Sequence, residues 1–517
     1  MNRVDQLQKL ALFAAFGVLA TGLQSTALAQ SEESDDEELE EVVATGRFIS
    51  SSQQLVNERM NDAFATDLLG EDTIARLGDS TVAGALRRVP GLTLVQDKFV
   101  YIRGLGERYS QTTMNGASIP SPDLTRNVIP LDVFPTSVVE SLKVQKSYSP
   151  ALSANFGGGA VDIRTKGIPD AFTVKFEAGM GFNSENPSNI LRYRGGGDDS
   201  LGADDGTREL SSGIRDALVQ FQGSLDPQTI LSRLQRTNPD ATIDDAIAVN
   251  RDLALQLNRG ISTRESSVDP DYKFRASIGN KYEVGSDWEL GFAVGGSYEQ
   301  SWRWRRSALT GPSDPETFQG AREETTRSVN MAGTANFGAR FTEDHSIETT
   351  TLWLRNTDDE VEDFLFTNEE RSGNQGFRDT RLEFEERNMI TNQVRGEHYL
   401  GDATREKLPF LGSVFGWLPT ESKVDWFYSK SDARTDIPNR VLVANQQTDI
   451  NVDTGEVTSS IVPTQTDAAL FRFVDLDDEV ENYGWNGLVP LNFGKNYVEV
   501  SGGYAHSQKV REFELLE

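Results

Sequence analysis

Phe99-Val-Tyr-Ile-Arg-Gly-Leu-Gly-Glu-Arg108 opens the stretch, closing at Lys166, that decides how the rest of the chain is read. It is a short β-prone run that stops at glycines. Tyr109-Ser-Gln-Thr-Thr-Met-Asn-Gly116 follows, and its Asn115-Gly116 pair predicts a tight turn because both residues tolerate positive φ. Val139-Glu-Ser-Leu-Lys-Val-Gln-Lys146 predicts a further strand. Phe156-Gly-Gly-Gly-Ala-Val-Asp-Ile-Arg-Thr-Lys166 then predicts a glycine-rich turn feeding a strand with Val161 and Ile163 on one face.

Taken singly these pieces are common. In this order and spacing, over roughly residues 40 to 166, they resemble the plug domain of TonB-dependent outer-membrane receptors: an Arg-Gly strand, an Asn-Gly loop, a Glu-Ser-x-x-Val strand and a glycine-rich lead into the barrel. Two departures bear on loop geometry, Asp162 where the family usually has asparagine and a shortened segment before Phe156. The resemblance implies a small α+β plug over residues 60–166 and, over 167–517, the N-terminal portion of an outer-membrane β-barrel.

Composition narrows the function classes independently. Eighty acidic against fifty basic residues give a formal charge of −30, which argues against a nucleic-acid partner. No cysteine is present, so neither disulfides nor thiolate metal sites are possible. The three histidines, His345, His398 and His506, are far apart in sequence and predict no metal centre and no metal cofactor.

Residues 1–29 have the form of a secretory signal: Arg3 and Lys9, an apolar core from Leu10 to Leu19, and Ala27-Leu28-Ala29 before Gln30. Residues 30–59 predict a solvated acidic arm, since Ser31 to Glu41 offers almost nothing apolar to bury. At the end of its acidic run stands Glu41-Val42-Val43-Ala44-Thr45-Gly46, which resembles a TonB box. A short extended segment on a tether can be captured as an added strand, its main chain transmitting a pull. The implied partner is a TonB-type inner-membrane energy transducer.

Within the plug, Thr81 to Val89 predicts a helix with Asp79 or Ser80 as its cap and Pro90-Gly91 as its stop. Leu92–Val95 and Phe99–Ile102 predict strands. The polar loop from Arg108 to Asn127 carries Arg108, Tyr109, Gln111, Asn115, Ser121, Asp123, Arg126 and Asn127. By resemblance, loops here point outward and touch the solute; the competing reading is that these groups only satisfy plug–barrel contacts. Arg103 and Arg164 are expected to pair with acidic residues of the barrel wall.

After the plug the hydrophobic period becomes two. Phe172 to Phe182, Tyr272 to Ile278, Trp288 to Tyr298, Val329 to Phe341, Val424 to Tyr428, Tyr483 to Val489 and Val498 to Tyr504 alternate cleanly; Ile347–Arg355 and Met389–Leu400 do so less well. One apolar and one small or polar face over about ten residues suits strands between lipid and water. Short gaps at Gly285–Asp287, Thr342–Asp344 and Asn492–Lys495 alternate with long ones at about 184–270, 304–321, 359–380 and 434–478, while 401–420 is long where a turn is expected. Ser211–Val219 and Ala241–Leu257 predict helices in the first long connection, which could fold back as a lid. Roughly nine strands are legible against the ~22 of a plugged barrel, so the expected fold class is an all-β transmembrane barrel, incomplete in this chain, with an N-terminal α+β plug.

In Ser301-Trp-Arg-Trp-Arg-Arg306, Trp302 and Trp304 extend the lipid face and are expected in an interfacial girdle. Arg303 and Arg305 then face the lumen or its mouth as candidate ligand contacts, and Arg306 suits lipopolysaccharide phosphates. The expected function is import of a scarce, large solute, an iron–siderophore or an oligosaccharide, across the outer membrane of a Gram-negative bacterium. The expected partners are the transducer, the extracellular solute and the lipid bilayer with its lipopolysaccharide. No nucleophile–base pair or phosphate loop points to an enzyme. The rival readings are a secreted β-rich enzyme with Ca²⁺ in its acidic loops, and an adhesin-type structural barrel.

Overall fold

The structure, a computed structural model, describes residues 64–150, 152–153, 156–310, 318–368, 376–450, 457–463, 468–493 and 496–517. The leader, the acidic arm and Glu41–Gly46 lie outside the described residues.

The plug begins with β1 (Thr66–Gly70), α1 (Glu71–Leu77) and α2 (Val82–Leu86). Thr81, not Asp79 or Ser80, caps α2: its side chain accepts from the Gly84 amide. The helix is also shorter than expected and ends before Pro90. A hairpin of β2 (Leu92–Val95) and β3 (Phe99–Ile102) follows, then β4 (Ser110–Met114) and β5 (Ala117–Ser118), β6 (Val139–Gln145) and β7 (Gly159–Thr165). The main plug sheet has the order β1-β6-β7-β4-β5, with β4 and β7 parallel. Asn115 and Gly116 form the two-residue turn between β4 and β5, with φ of 49° and 83°. Asp162 fits this turn without asparagine, because its Oδ1 accepts from the Gly116 amide (2.8 Å) and the Thr113 hydroxyl (2.7 Å).

Nine strands then form one antiparallel sheet in the order β19-β18-β16-β15-β14-β13-β12-β11-β8, the strands read from the period-two pattern. They are β8 (Thr173–Gly181), β11 (Asp271–Val284), β12 (Trp288–Thr310), β13 (Phe318–Phe341), β14 (His345–Asn368), β15 (Gly376–Tyr399), β16 (Lys423–Ile450), β18 (Ala469–Phe493) and β19 (Asn496–Leu516). The remaining strands are short: β9 (Asn189–Arg192) pairs with β10 (Arg264–Ser267), and β17 (Val457–Ile461) pairs with β16. Among the described residues β8 and β19 pair on one side only, so the nine strands make an open sheet and not a closed cylinder.

Strand length departs from expectation. The segments read as long loops at 304–321, 359–380 and 434–478 are largely strand, and β12 to β16 run 23 to 28 residues, more than twice the ~9–11 that cross a bilayer. Past the apolar band both faces are polar, so the apolar alternation fades while the ladder continues. Cross-strand ion pairs such as Arg305–Glu324 (3.6 Å), Arg322–Glu362 (3.3 Å) and Arg381–Glu360 (3.8 Å) sit there instead. The ladder breaks register in β16 between Ile437 and Arg440, where Pro438 can give no amide hydrogen. The irregular 401–420 connection holds two short helices, α6 (Asp402–Lys407) and α7 (Pro409–Phe415). They lie at the same end as the short turns: Asp344 accepts from the Thr404 amide (2.7 Å), and Lys407 meets Asp287 at 3.1 Å.

The two sheet faces differ chemically. One carries exposed Trp288, Leu290, Val294, Phe337, Ile347, Val424, Trp485 and Val500, a continuous apolar surface that water does not favour. The other holds Ser297, Asn336, Gln393, Thr435 and Asn482, each bonded to the plug. The plug core, built on Val82, Leu86, Ile102, Phe134, Leu142 and Ile163, continues into Ala332, Leu352, Leu354, Met389 and Ala433 of that second face. Residues 64–166 therefore pack on the polar, inward side of the later strands. Among the described residues no helix is long and apolar enough to cross a membrane.

The first long connection holds the two expected helices, α3 (Ser212–Gln220) and α5 (Ile243–Ala254), and a further one between them, α4 (Pro227–Thr237). It does not cover the plug as a lid. Tyr193, Gly202 and Thr263 bond Asp359, Thr357 and Asp363, which stand on the face opposite the plug.

Candidate functional site: the plug apex and its wall

The plug is fastened at three heights. Lowest, Glu71 of α1 reaches Lys166 (3.0 Å) and Lys175 of β8 (3.4 Å), and Asn336 donates to the Lys166 carbonyl. Burial alone would raise the Glu71 carboxyl; the two ammonium groups outweigh it and hold it below its usual value. A carboxylate depressed in this way stabilises the folded state above its unfolded value of 4.5, and that contribution is lost as pH falls through the folded value. Glu71→Gln is expected to weaken this fastening by about 1 kcal/mol or less, since all three groups are part-exposed. Hydrogen exchange of residues 71–77 should rise at pH 7 and lose its acid dependence below pH 4.5; unchanged exchange would remove Glu71 from the fastening.

At mid-height stand two contacts whose partners are remote in sequence. Ser137 and Ser297 hydroxyls lie 3.1 Å apart. Asn115 donates to Gln393 Oε1 (3.1 Å) and Thr165 Oγ1 (3.0 Å), and its carbonyl accepts from Gln393 Nε2 (3.3 Å). The geometry thus gives Asn115 a plug–wall contact, as the competing expectation for this loop has it. Beside Ser137 a cavity of about 720 Å³ runs between plug and sheet, lined by Glu140, Thr173, Ser277, Gly295 and Thr334 among others.

The apex is the loop from Ser121 to Asp132. Ser121 is fully buried; its amide donates to Asp478 Oδ2 (3.0 Å) and its hydroxyl to the Val128 carbonyl (2.7 Å). Arg511 donates to the Ser121 carbonyl and to Asp478 (3.0 Å each) and also to the Asp123 carbonyl, while Lys509 lies 2.9 Å from Asp478 and bonds Asn127. Arg126 rests over the Phe99 ring, 4.7 Å from its centroid. Asp132 meets Arg387 at 3.5 Å, a wall residue that also bonds Asp358 (2.6 Å) and Glu385 (3.5 Å). Sequence reading missed Asp478, Arg511 and Arg387; a charged residue in a period-two strand carried no mark that a plug loop would sit against it.

Above Arg387 the plug-facing wall is charged. Arg381 and Arg440 both bond Glu383, and Arg305 lies near Glu324. Arg303 shares this face, exposed, with no ion pair among the described residues. Arg126, Asn127, Arg303 and Arg305 thus stand on the apex and the wall rising from it. Arg108 and exposed Tyr109 lie at the opposite end of β4 from Asn115, and the buried Gln111 Oε1 has no hydrogen-bond partner among the described residues. The expectation for Arg103 needs correction. Arg103 occupies a left-handed turn (φ 56°) and makes no ion pair among the described residues, while Arg164 meets Asp162 of its own strand at 3.7 Å.

Trp302 and Trp304 do lie on the face opposite the plug, yet they form no girdle. The long connection covers Trp302 to 5% exposure, and Trp304 is tied to Asn186 and Glu323. His345 and His398, remote in sequence, meet across β14 and β15 with Nδ1 atoms 3.3 Å apart, and Thr404 and Trp426 take their other ring nitrogens. Among the described residues no group of three His, Cys, Asp or Glu could hold a metal ion.

Residues 58–161 match the family described as TonB-dependent Receptor Plug Domain. No curated protein matches the chain in sequence. Similar solved structures include the unliganded ferric citrate transporter FecA (11% identity, TM-score 0.34, 89% of this chain and 58% of that one). Pseudomonas aeruginosa FpvA bound to heterologous pyoverdines is another (9%, 0.39, 88% and 54%), as is the siderophore receptor PiuA of Acinetobacter baumannii (11%, 0.31, 87% and 62%). The chain therefore spans 54–62% of the length of these three proteins. Residues 58–161 thus match the TonB-dependent receptor plug, a domain seated on the polar face of a strand-rich sheet.

Proposed function

We propose that the protein imports a scarce solute too large for porins across the outer membrane of a Gram-negative bacterium, with energy supplied by a TonB-type transducer. The observation that carries this reading is the plug seated on the polar face of strands whose other face is exposed and apolar. A secreted enzyme would not leave Phe337, Trp485 and Val500 half in water. The solute, an iron–siderophore or an oligosaccharide, binds outside on the apex around Arg126 and Asn127 and on the wall with Arg303 and Arg305. Binding frees Glu41–Gly46 to the transducer, which adds it as a strand and pulls.

The mechanism asks for no covalent step. The plug must give way, and most of its fastenings are hydrogen bonds and part-exposed ion pairs, individually weak, with the buried Asp478 carboxylate at the apex the strongest. Deleting Glu41–Gly46 is expected to abolish uptake while surface binding stays at the wild-type level. Cells carrying the deletion would be fed radiolabelled ferric siderophore or a labelled oligosaccharide, with bound and internal label separated. Uptake that survives the deletion removes the transducer from the mechanism.

A further inference from the structure

The long connection between β8 and β11 encloses, against β12 to β14 on the face away from the plug, a cavity of about 420 Å³. That lies within the ~300–1,000 Å³ of small-molecule sites. Three buried atoms on its strand side have no hydrogen-bond partner: Trp302 Nε1, Thr325 Oγ1 and Arg327 Nε. Trp302 and Thr325 are only 5% and 2% exposed. Trp Nε1 and Arg Nε can only donate, and a hydroxyl can, so this wall asks for an acceptor.

The opposite wall supplies positive charge. Arg192, Arg194 and Arg264 line the cavity. Arg192 and Arg327 flank the Trp302 ring at 4.6 and 5.4 Å from its centroid. Arg192 reaches part-exposed Asp269 at 3.3 Å, Arg327 donates to neutral Gln300 (2.7 Å), and among the described residues Arg194, Arg264 and Arg327 make no ion pair within 4 Å. The two carboxylates of the lining are already engaged: Asp199 by Arg208 (2.8 Å), Asp359 by the Tyr193 hydroxyl (2.7 Å). In a chain with a formal charge of −30, a pocket of arginines around unsatisfied donors needs a ligand to explain it.

We infer that this cavity binds a phosphorylated saccharide by its phosphate group. A tetrahedral oxyanion meets donors converging from several directions, whereas a planar carboxylate meets them in one plane; guanidinium groups suit phosphate oxygens in particular. The space exceeds a bare phosphate, and the Ser200 and Ser266 hydroxyls offer polar partners to sugar hydroxyls. Height points to a source. Trp302 lies fourteen residues beyond Trp288 on β12, about 35 Å above the turn at ~3.3 Å per residue and ~40° tilt, so about 10 Å past an apolar band of ~25 Å. That is the level of phosphorylated glycolipid headgroups in an outer leaflet. Only this choice of source rests on the outer-membrane reading.

The test uses the purified protein in detergent, titrated calorimetrically with glucosamine 1-phosphate, glucosamine and inorganic phosphate. Saturable binding of glucosamine 1-phosphate is expected, with glucosamine silent. The rim double variant Arg194→Gln/Arg264→Gln should weaken it at least tenfold, and Thr325→Val about fivefold. Equal affinity for glucosamine and its phosphate overturns the assignment, as does a folded rim variant indistinguishable from wild type. Phosphatidylcholine vesicles carrying phosphorylated or dephosphorylated lipid A separate the sources. Phosphate-dependent capture by wild type but not by the rim variant assigns the lipid, and glucosamine 1-phosphate binding without capture assigns a free sugar phosphate.

Discussion

A disulfide formed in the double variant Ser137→Cys/Ser297→Cys is expected to abolish uptake while leaving surface binding of the solute unchanged. Ser137 lies in the short turn Thr136–Val138 of the plug, and Ser297 stands on the plug-facing side of β12. Their hydroxyl oxygens are 3.1 Å apart, so sulfurs in the same rotamers fall close to the ~2.05 Å of a disulfide with a small adjustment. The chain has no cysteine of its own, so the engineered pair has no competitor. The bond would fix the plug beside the 720 Å³ cavity that Ser137 helps to line. A pull applied to the arm would then meet a covalent link instead of a hydrogen bond worth about 1 kcal/mol. Reduction should restore uptake, and each single variant should transport at close to the wild-type rate, because one lost hydroxyl contact is a small part of the plug seat. Uptake at the full rate in protein shown by mass spectrometry to be cross-linked would mean that solute passes without parting the plug from β12. That result would end the plug-displacement mechanism while leaving the fold assignment untouched.

The local chemistry of the fold was legible wherever lipid or a tight turn imposed a period. Asn115-Gly116 marked its own turn because few pairs accept two successive positive φ values. All nine long strands showed themselves where one face must be apolar. The same strands became illegible past the apolar band, where Arg322, Glu324, Glu360 and Glu362 satisfy a ladder polar on both faces and the alternation no longer has a cause. Trp302 fails for a related reason: parity places it on the correct face, but only the tertiary path of residues 183–270 decides that it is covered by protein. At the site, the loop around Ser121–Asn127 could be singled out from its polarity. What holds it could not, since Asp478, Lys509 and Arg511 lie some 350 to 390 residues further on. The fastening role of Asn115 likewise depends on Gln393, 278 residues away.

Asp478 carries the second large prediction. Its side chain is fully buried, and it binds Lys509 (2.9 Å), Arg511 (3.0 Å) and the Ser121 amide (3.0 Å), so one carboxylate joins the plug apex to β18 and β19. Removing one member of a buried charge group leaves the others uncompensated, which costs about 3–5 kcal/mol where burial is complete. Lys509 and Arg511 keep 30% and 22% of their side chains in solvent, so the expectation for Asp478→Ala falls at the lower end, about 3 kcal/mol. The loss should appear as faster hydrogen exchange over residues 119–132, with the strand ladder of β18 and β19 unaffected. Asp478→Asn keeps the shape and an acceptor for the Ser121 amide but discards the charge, and should lie between wild type and Asp478→Ala. Pairing Asp478→Ala with Arg511→Met separates the two roles. If the carboxylate serves to balance the guanidinium, the double variant should lose less than the sum of the singles, because no buried cation is left alone. Strict additivity would show that Asp478 acts on the Ser121 amide alone, and that the apex loop is held by its own hydrogen bonds and not by the wall.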